Sequence, residues 1–509
     1  MANITTLIFS FTSAYSRLAT GAGWELKHKA VIILRMRKLL LIALCFTSLF
    51  SHAEGLPDLG DISQEVISPQ QERQIGEQSM YQIRADKSYL DDAEIADYLN
   101  LLGGSLVSNS SEPGQAFEFF AINDNAINAF AMPGGFVGVN TGLILTSQSE
   151  SELASVLSHE IAHVTQHHLA RMISGQKFDS LASMALIAAA ILTARSNPDA
   201  AMATIVGVQA GGIQRQLNFT RLHEQEADRI GLGILQKSGF DTRAMPAFFE
   251  RMQKASRLLE GNTPTYLRTH PLTNERIADM ANRVQQLPYH PVASSLDFQL
   301  VRAKLQTMQK TPQEAIAYFS GALGAQKFGN PVAQRYGLVI ALLQSHQLAR
   351  AAQEFAPLRK QVQANAMITT LAGQLRRAGA INDLNLSDFY RTSTENFPQH
   401  RALIYDYCEV LLQQKRYSDA VALLNQQVAD HPNDPHLYEL QARTYAVLGR
   451  NQEEHHALAY FYILHGNLRT SIEQLELAKQ AGNDFHELST IETELRQFRE
   501  IAAAQEKKR

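Results

Sequence analysis

Two histidines four residues apart, with a glutamate directly after the first, occupy the segment Ser158–His163. They lie in a run whose apolar residues recur at helical spacing from Leu153 to Val164. A Ser-x-x-Glu sequence at Ser149–Glu152, typical of a helix N-terminus, precedes the run. Because residues i and i+4 of a helix lie one turn apart on the same face, both imidazoles can reach one ion. The motif therefore predicts a helix through His163 with a metal site on one face.

A third metal ligand is expected downstream of this motif. A catalytic zinc site has three protein ligands and a fourth position that is vacant or filled by water. The predicted helix 215–238 carries Glu224 and Asp228 on one face, so that Glu224 can bind the ion while Asp228 accepts a hydrogen bond from a ligand imidazole. The spacing alone does not separate Glu224 from Glu226. The competing interpretation is that the two histidines of the motif are solvated surface residues.

An export signal is predicted at residues 1–53. The basic residues Arg37 and Lys38 precede an apolar run, 39–50, and the segment ends in small residues at Ala53. The run is too short to span a bilayer permanently, as expected of a cleaved signal peptide. We therefore expect export across a membrane and cleavage after Ala53. Met36 stands directly before the basic pair and is the predicted true start of translation.

The charge balance argues against nucleic-acid binding. The whole chain has a formal net charge of −4, and removal of the predicted signal segment, which holds six basic residues and one acidic residue, brings it to about −9. A protein that binds nucleic acid usually presents a basic patch. Hydrophobic residues make up 45% and charged residues 19% of the chain. These fractions are typical of a globular protein rather than of long disorder or a polytopic membrane protein.

The 509 residues predict two domains behind the signal, at 54–295 and 296–509. The first is expected to be mostly helical, with a helix that ends at a glycine pair after Leu102 and a small sheet in a hairpin or meander, an α+β arrangement. Its strand at Phe136–Val139 could present a free edge on which an extended peptide pairs. The apolar segment 180–193 is too short to span a membrane, so a buried hairpin or a lid is favoured over membrane insertion.

The second domain contains a 34-residue repeat. Cys408 and Ala442 are 34 residues apart and suit small packing positions, while Leu411 and Tyr445, at the same separation, suit large ones. About four degenerate helix pairs of the tetratricopeptide type are predicted, which makes this domain all-helical. A generic helical bundle is the alternative.

In these motifs the chain resembles the HtpX-type gluzincin metallopeptidases, in which HExxH is followed about sixty residues later by a Glu-x-x-x-Asp helix. The resemblance implies a zincin-like fold for the first domain and one Zn²⁺ per chain, bound by His159, His163 and Glu224. It also implies that Glu160 is the general base and that Asp228 holds a ligand imidazole. Further blocks that resemble the family are Asn128–Gly135, Gly142-Leu143 and Thr220–Asp228.

Within this family, an exported peptidase domain followed by tetratricopeptide repeats resembles periplasmic proteases of Gram-negative bacteria. The resemblance implies a periplasmic zinc-dependent endopeptidase, with chaperone-like activity, in the assembly and quality control of outer-membrane proteins. The expected partners are unfolded or misassembled outer-membrane proteins and, through the repeat domain, subunits of the outer-membrane assembly machinery. Neither nucleic acid nor a transmembrane segment in the mature chain is expected. The alternative function is a non-proteolytic repeat-domain chaperone or adaptor with a silent metal site.

Of three further histidines near these motifs, one is a candidate site residue and two are expected on the surface. His270 precedes a proline in a His-Pro block that the family also has near its site. We expect His270 to approach the zinc, either stabilising the oxyanion or filling the fourth position as a reversible plug, with Arg276 in support; a helix-cap histidine is the alternative. His167 and His168 are expected on the surface, because a continued helix would carry them too far from the ion.

Overall fold

The computed structural model describes residues 68–174, 210–258, 264–325, 329–482 and 485–506. The predicted signal at 1–53 and the apolar segment 180–193 lie outside the described residues. In the described part of the chain, no helix is both long enough and apolar enough to cross a membrane.

The first domain combines helices with one small sheet, and its elements follow one another along the chain. They are α1 (Pro69–Ala85), α2 (Ala93–Val107), β1 (Glu118–Ile122), β2 (Ala129–Met132), β3 (Phe136–Asn140), α3 (Thr141–Thr146), α4 (Glu150–Thr165), α5 (His168–Ser174), α6 (Ala210–Lys237), α7 (Ala244–Leu258), α8 (Thr265–Thr269) and α9 (Asn274–Gln285).

Helix α2 does not end at the glycine pair, as the sequence predicted. It continues through Gly103 and Gly104 to Val107. The reason is packing, because a Cβ on Gly103 would lie 2.2 Å from Cε2 of the Phe119 ring. Gly103 therefore lets strand β1 pack closely on α2 rather than ending the helix.

The three strands form a sheet in the order β1-β3-β2. Strands β2 and β3 form an antiparallel hairpin, although no strand was predicted at β2, and β1 pairs with β3 in parallel, so the sheet is not a meander. The turn between β2 and β3 uses Gly134 and Gly135 at φ values of 75° and 84°, which favour glycine. The prediction of a free edge at Phe136–Val139 is wrong, because β3 is the central strand and pairs with a strand on each side. Of the two strands that flank it, β2 is the one beside helix α4.

The second domain is a run of helices in which most elements pack against the next. They are α10 (Leu296–Met308), α11 (Pro312–Gly324), α12 (Pro331–Gln344), α13 (Leu348–Phe355), α14 (Ala366–Arg377), α15 (Leu386–Asn396), α16 (Arg401–Gln413), α17 (Tyr417–Asp430), α18 (Pro435–Leu448), α19 (Asn451–Leu464), α20 (Leu468–Ala481) and α21 (Phe485–Glu506).

The 34-residue spacing reappears in the contacts of this domain. The small residues Cys408 and Ala442 are both buried at equivalent places in α16 and α18. Glu409 and Arg443, one position further along, form an ion pair at 2.6 Å between Oε1 and Nη1. Equivalent side chains of successive helix pairs therefore touch. The predicted fold class, an α+β zincin-like domain followed by an all-helical repeat region, is confirmed.

Candidate metal centre

Helix α4 carries the HExxH motif and is buried over almost its whole length. The Ser149 side chain accepts a hydrogen bond from the N–H of Glu152 and so caps the helix as predicted. The carboxylate of Glu152 does not close the other half of a capping box. It accepts the N–H of Gln148 at 2.6 Å and pairs with Arg251 at 2.6 Å. The N-terminus of the motif helix is therefore anchored to α7 as well as capped.

Helix α6 runs beside α4 and brings the carboxylates to the motif. Glu224, Asp228 and Gly231 follow one another at i, i+4 and i+7 and therefore share one helix face. A Cβ on Gly231 would lie 3.1 Å from the backbone N and Cα of His159. The glycine thus permits the close approach of the two helices at the motif.

Four side chains converge between these helices. The ligand atoms of His159, His163, Glu224 and His270 all lie within 4.8 Å of one another. Nε2 of His159 is 3.4 Å from Oε2 of Glu224, and Nε2 of His163 is 3.3 Å from Oε1. The two Nε2 atoms are 3.0 Å apart. Each of the three ligands predicted from sequence therefore directs a donor atom to the same point.

The chemistry of this donor set fits zinc. Two imidazole nitrogens and one carboxylate oxygen form one of the common ligand sets of catalytic zinc sites. Glu160 is 1% exposed, and its Oε1 makes no hydrogen bond among the described residues. A buried carboxylate oxygen without a hydrogen bond is costly unless another group serves it. The site therefore suits an ion together with a water molecule beside Glu160.

Asp228 and Arg276 support the cluster from behind. Oδ1 of Asp228 lies 3.0 Å from Nδ1 of His159, on the side of the ring away from Glu224. Nε and Nη2 of Arg276 donate to the two Asp228 oxygens at 2.7 and 2.8 Å. Nη1 of Arg276 lies 2.8 Å from Oε2 of Glu224 and donates to the carbonyl of Pro271. The predicted support from Arg276 thus extends to both carboxylates and to the residue after His270.

The charges of the cluster favour a cation. Burial opposes protonation of His159, but hydrogen bonds to Asp228 and Glu224 outweigh it and raise the pKa of His159 to about 10. Burial likewise opposes ionisation of Glu224, yet the neighbouring histidines hold the pKa of that carboxyl well below its usual range. The carboxylates that stabilise a positive imidazole would also stabilise a divalent cation.

His270 lies inside the cluster and is also a helix cap, so both sequence interpretations describe part of its environment. Its backbone N–H donates to the carbonyl of Tyr266 at the end of α8. Its Nδ1 is 3.0 Å from Oε1 of Glu224, and its Nε2 is 3.4 Å from Oε1 of Glu160. The ring of Tyr266 stacks on the imidazole with centroids 4.8 Å apart.

The expectation that His168 is a surface residue is wrong. Helix α4 ends at Thr165, and His167, at φ 49°, turns the chain so that His168 points back toward the motif. His168 is 4% exposed, and its Nδ1 lies 2.8 Å from Nδ1 of His163. Burial lowers the pKa of His168. No glycine or proline marks this helix end, so helical periodicity alone missed it.

Glu226, the alternative ligand that the spacing left open, contacts His168 instead of the cluster. Its Oε2 lies 3.1 Å from Nε2 of His168 and accepts a hydrogen bond from Nη2 of Arg171 at 2.9 Å. The pattern Glu224-x-Glu226 did contain the signal, since residues two apart on a helix point in different directions. One carboxylate faces the cluster and the other faces His168.

Comparisons with known proteins agree with this geometry. The chain matches the family model described as peptidase family M48 over residues 96–284 and a tetratricopeptide repeat model over residues 388–444. It is 35% identical to the beta-barrel assembly-enhancing protease of Escherichia coli (strain K12) over 434 residues, which cover 84% of this chain and 87% of that protein.

Two further relatives are less similar to the chain. The chain is 33% identical over 423 residues to the beta-barrel assembly-enhancing protease of Yersinia pestis, covering 82% of this chain and 86% of the relative. It is 28% identical over 227 residues to the mitochondrial metalloendopeptidase OMA1 of Arabidopsis thaliana, covering 44% of each. The metallopeptidase resemblance predicted from the motifs is therefore confirmed, and the chain belongs to peptidase family M48.

Proposed function

We propose that this metallopeptidase is a zinc-dependent endopeptidase in which His159, His163 and Glu224 bind one Zn²⁺ per chain. The observation that carries the proposal is the convergence of these three side chains, with Glu160 beside them, in a buried cluster between α4 and α6. A structural zinc site would normally have four protein ligands. His270 is the fourth candidate ligand, and its position at the end of α8, outside both helices, suits a group that can withdraw.

Each side chain has a distinct task in peptide hydrolysis. When bound, zinc lowers the pKa of water toward ~7 and polarises the scissile carbonyl. Glu160 accepts the proton of the attacking water and delivers it to the departing amine. The carboxylate of Asp228, 3.0 Å from Nδ1 of His159, holds the proton of that ring on Nδ1 and so keeps Nε2 available as a ligand. Arg276 holds Asp228 in the orientation that this requires.

An extended substrate is proposed to pair with β2 rather than with β3. Asn140 donates its N–H to the carbonyl of Asn128. This bond fixes which residue pairs of the β2–β3 hairpin are hydrogen-bonded to each other and which are not. By that alternation, Ala129 and Ala131 direct their backbone N–H and C=O groups away from β3. Strand β2 lies beside the motif helix α4, so a peptide added to its outer edge would run past Glu160. Pairing of this kind favours unfolded segments over native folds.

His270 is proposed to plug the zinc at rest. Its contacts with Glu224 and Glu160 place it where the fourth ligand and the attacking water belong. His270→Ala should raise basal casein cleavage several-fold and weaken zinc binding, because the site loses a donor and gains room for water. The exposed His290 provides the control variant, His290→Ala. Lower cleavage in His270→Ala would instead assign oxyanion stabilisation, and an unchanged variant would exclude both roles.

We place this peptidase in the periplasm, with chaperone-like activity in the assembly and quality control of outer-membrane proteins. The support is the predicted export signal, the repeat region, and the 35% and 33% identity to two proteins named beta-barrel assembly-enhancing proteases. On this proposal the repeat region binds unfolded outer-membrane proteins or subunits of their assembly machinery. The alternative, a non-proteolytic adaptor with a silent metal site, keeps the same partners.

Glu160→Gln separates the peptidase from the adaptor. The variant should bind zinc like the wild type but lose casein cleavage by at least about 100-fold, because amide nitrogen and oxygen cannot serve as the base. Binding of an unfolded outer-membrane protein should persist. The exposed Glu250 on α7 allows the matched control Glu250→Gln, which should cleave normally. Full cleavage by Glu160→Gln would contradict the assignment of the base, and absence of cleavage in both the wild type and His270→Ala would favour the adaptor.

A further inference from the structure

We infer that His168 is a positioning residue that fixes the tautomer of His163. The inference rests on the proposed function, in which His163 binds the metal. Nδ1 of His168 accepts a hydrogen bond from Nδ1–H of His163, and Glu226 in turn accepts a hydrogen bond from Nε2–H of His168. The three side chains form a one-way chain of hydrogen bonds from the metal ligand to the surface.

The path of the backbone makes this chain possible. In an uninterrupted helix, residue 168 would lie five positions after His163, about 140° around the axis and out of reach. The left-handed conformation of His167, with φ 49°, interrupts the helix and changes the direction of the chain before His168. Helix α5 then begins at His168, and the two Nδ1 atoms lie 2.8 Å apart.

The direction of the hydrogen bonds follows from the orientation of His163. Its Nε2 faces Glu224 at 3.3 Å and the Nε2 atom of His159 at 3.0 Å. A neutral imidazole that binds a metal through Nε2 carries its proton on Nδ1. The Nδ1 of His168 must then be the acceptor, so the proton of His168 sits on Nε2, 3.1 Å from Oε2 of Glu226. In this arrangement His163 only donates at Nδ1, His168 accepts at Nδ1 and donates at Nε2, and Glu226 only accepts.

The surroundings hold His168 in this orientation. The ring of His223 stacks on it with centroids 4.2 Å apart and planes 6° apart. Arg171 donates a hydrogen bond to the Glu226 oxygen that faces His168. His168 is therefore fixed by one stacked ring, one carboxylate and the start of helix α5. Asp228 gives His159 the same kind of support, so each ligand histidine has its own partner on Nδ1.

Two substitutions at His168 separate hydrogen bonding from packing. His168→Phe keeps a ring that can stack on His223 but has no acceptor, whereas His168→Asn loses the ring and keeps a side-chain oxygen near the place of Nδ1. Zinc affinity is measured on the full chain by competition with a chelator, and thermal unfolding of the metal-free protein checks folding. His168→Phe should raise the zinc dissociation constant about 10- to 100-fold. His168→Asn should stay within a few-fold of wild type.

If His168→Phe binds zinc more tightly than His168→Asn, the role of His168 is packing and the inference is overturned. Wild-type zinc affinity in both variants would also overturn the inference. The half-exposed Glu226 provides a second pair if His168→Phe does not fold: Glu226→Leu should weaken zinc binding and Glu226→Gln should not, and equal affinities overturn the inference. His167→Asn, which tolerates the same backbone conformation, is the neighbouring control and should bind zinc normally.

A further variant distinguishes this inference from the proposed function. His163→Ala removes a proposed ligand and should abolish tight zinc binding. If His163→Ala binds zinc normally, the proposed function fails. If His163→Ala loses zinc while both His168 variants retain it, only the role of His168 fails.

Discussion

Arg276 shows how one side chain can organise a whole site. It is 2% exposed, and its guanidinium bonds both oxygens of Asp228, one oxygen of Glu224 and the carbonyl of Pro271. Burial opposes ionisation of Asp228, but the hydrogen bonds from Arg276 outweigh it and lower the pKa of that carboxyl. The planar fork of arginine suits this arrangement, and the ammonium of lysine does not.

Arg276→Lys should therefore weaken zinc binding and cleavage by about 10-fold or more. The charge is kept, but the two parallel hydrogen bonds to Asp228 are lost, and His159 is no longer held in one orientation. Chelator competition and casein cleavage measure the two effects. Arg283→Lys is the control, because Arg283 pairs with Asp279 at the surface. Wild-type zinc affinity in Arg276→Lys would show that the bidentate geometry is not needed.

At the scale of elements, the site depends on how closely α6 approaches α4. The three metal-facing side chains come from two helices, so their separation is set by the contact at Gly231. A second glycine, Gly233, stands two positions further along α6, and a Cβ built there meets nothing within 4 Å. The two glycines provide a matched pair in one helix.

Gly231→Ala should weaken zinc binding, because the new methyl group presses on the backbone of His159 and moves Glu224 away from the two imidazoles. We expect a loss of about 10-fold or more, comparable to the loss of an outer hydrogen-bond partner. Gly233→Ala should leave zinc affinity unchanged and stabilise the helix by up to about 1 kcal/mol. Chelator competition and thermal unfolding test both variants. Equal zinc affinity in the two variants would mean that the helix contact does not set the site.

At the scale of the whole molecule, a buried network ties the repeat region to the peptidase domain. Glu94 on α2 bonds Lys304 of α10 at 2.6 Å and lies 3.4 Å from both Tyr336 of α12 and His400, which precedes α16. Burial opposes ionisation of Glu94, but Lys304 and His400 outweigh it and lower its pKa from 4.5 to about 2. The two regions therefore share charged contacts that neither could satisfy alone.

Glu94→Gln should destabilise the protein at neutral pH on the order of 2 kcal/mol, because the buried Lys304 then keeps only Asp92, at 2.6 Å, as a charged partner. The folded pKa of Glu94 lies below the unfolded value, so its contribution is complete above about pH 4.5 and disappears as the pH falls toward 2. The difference from wild type in urea denaturation should shrink over that window. Glu395→Gln, at an exposed ion pair, is the control. A difference that is independent of pH would contradict the role of the Glu94 charge.

The parts of the structure that follow from local geometry were predictable from sequence. HExxH fixes two imidazoles on one helix face, and the 34-residue period fixes equivalent positions such as Cys408 and Ala442. The choice of Glu224 over Glu226 needed the family resemblance, because both residues lie on the same helix. Domain boundaries at 54–295 and 296–509 and the signal at 1–53 stay predictions.

The parts that depend on tertiary packing were not predictable. The existence of strand β2 and the central position of β3 depend on which segments pair in the folded sheet. The local residue patterns of these segments do not determine that pairing. Gly103 continues a helix because the Phe119 ring covers it. The break after Thr165 has no composition signal, so the position of His168 became visible only in the fold.

The most direct test of the central claim compares zinc affinity in Glu224→Gln and Glu226→Gln, measured side by side with the wild-type chain. We predict one zinc per chain in the wild type and a loss of affinity greater than about 100-fold in Glu224→Gln, since losing a ligand should cost more than losing its outer partner. Glu226→Gln should remain close to wild type. Wild-type affinity in Glu224→Gln, or loss confined to Glu226→Gln, would contradict the metal centre described above.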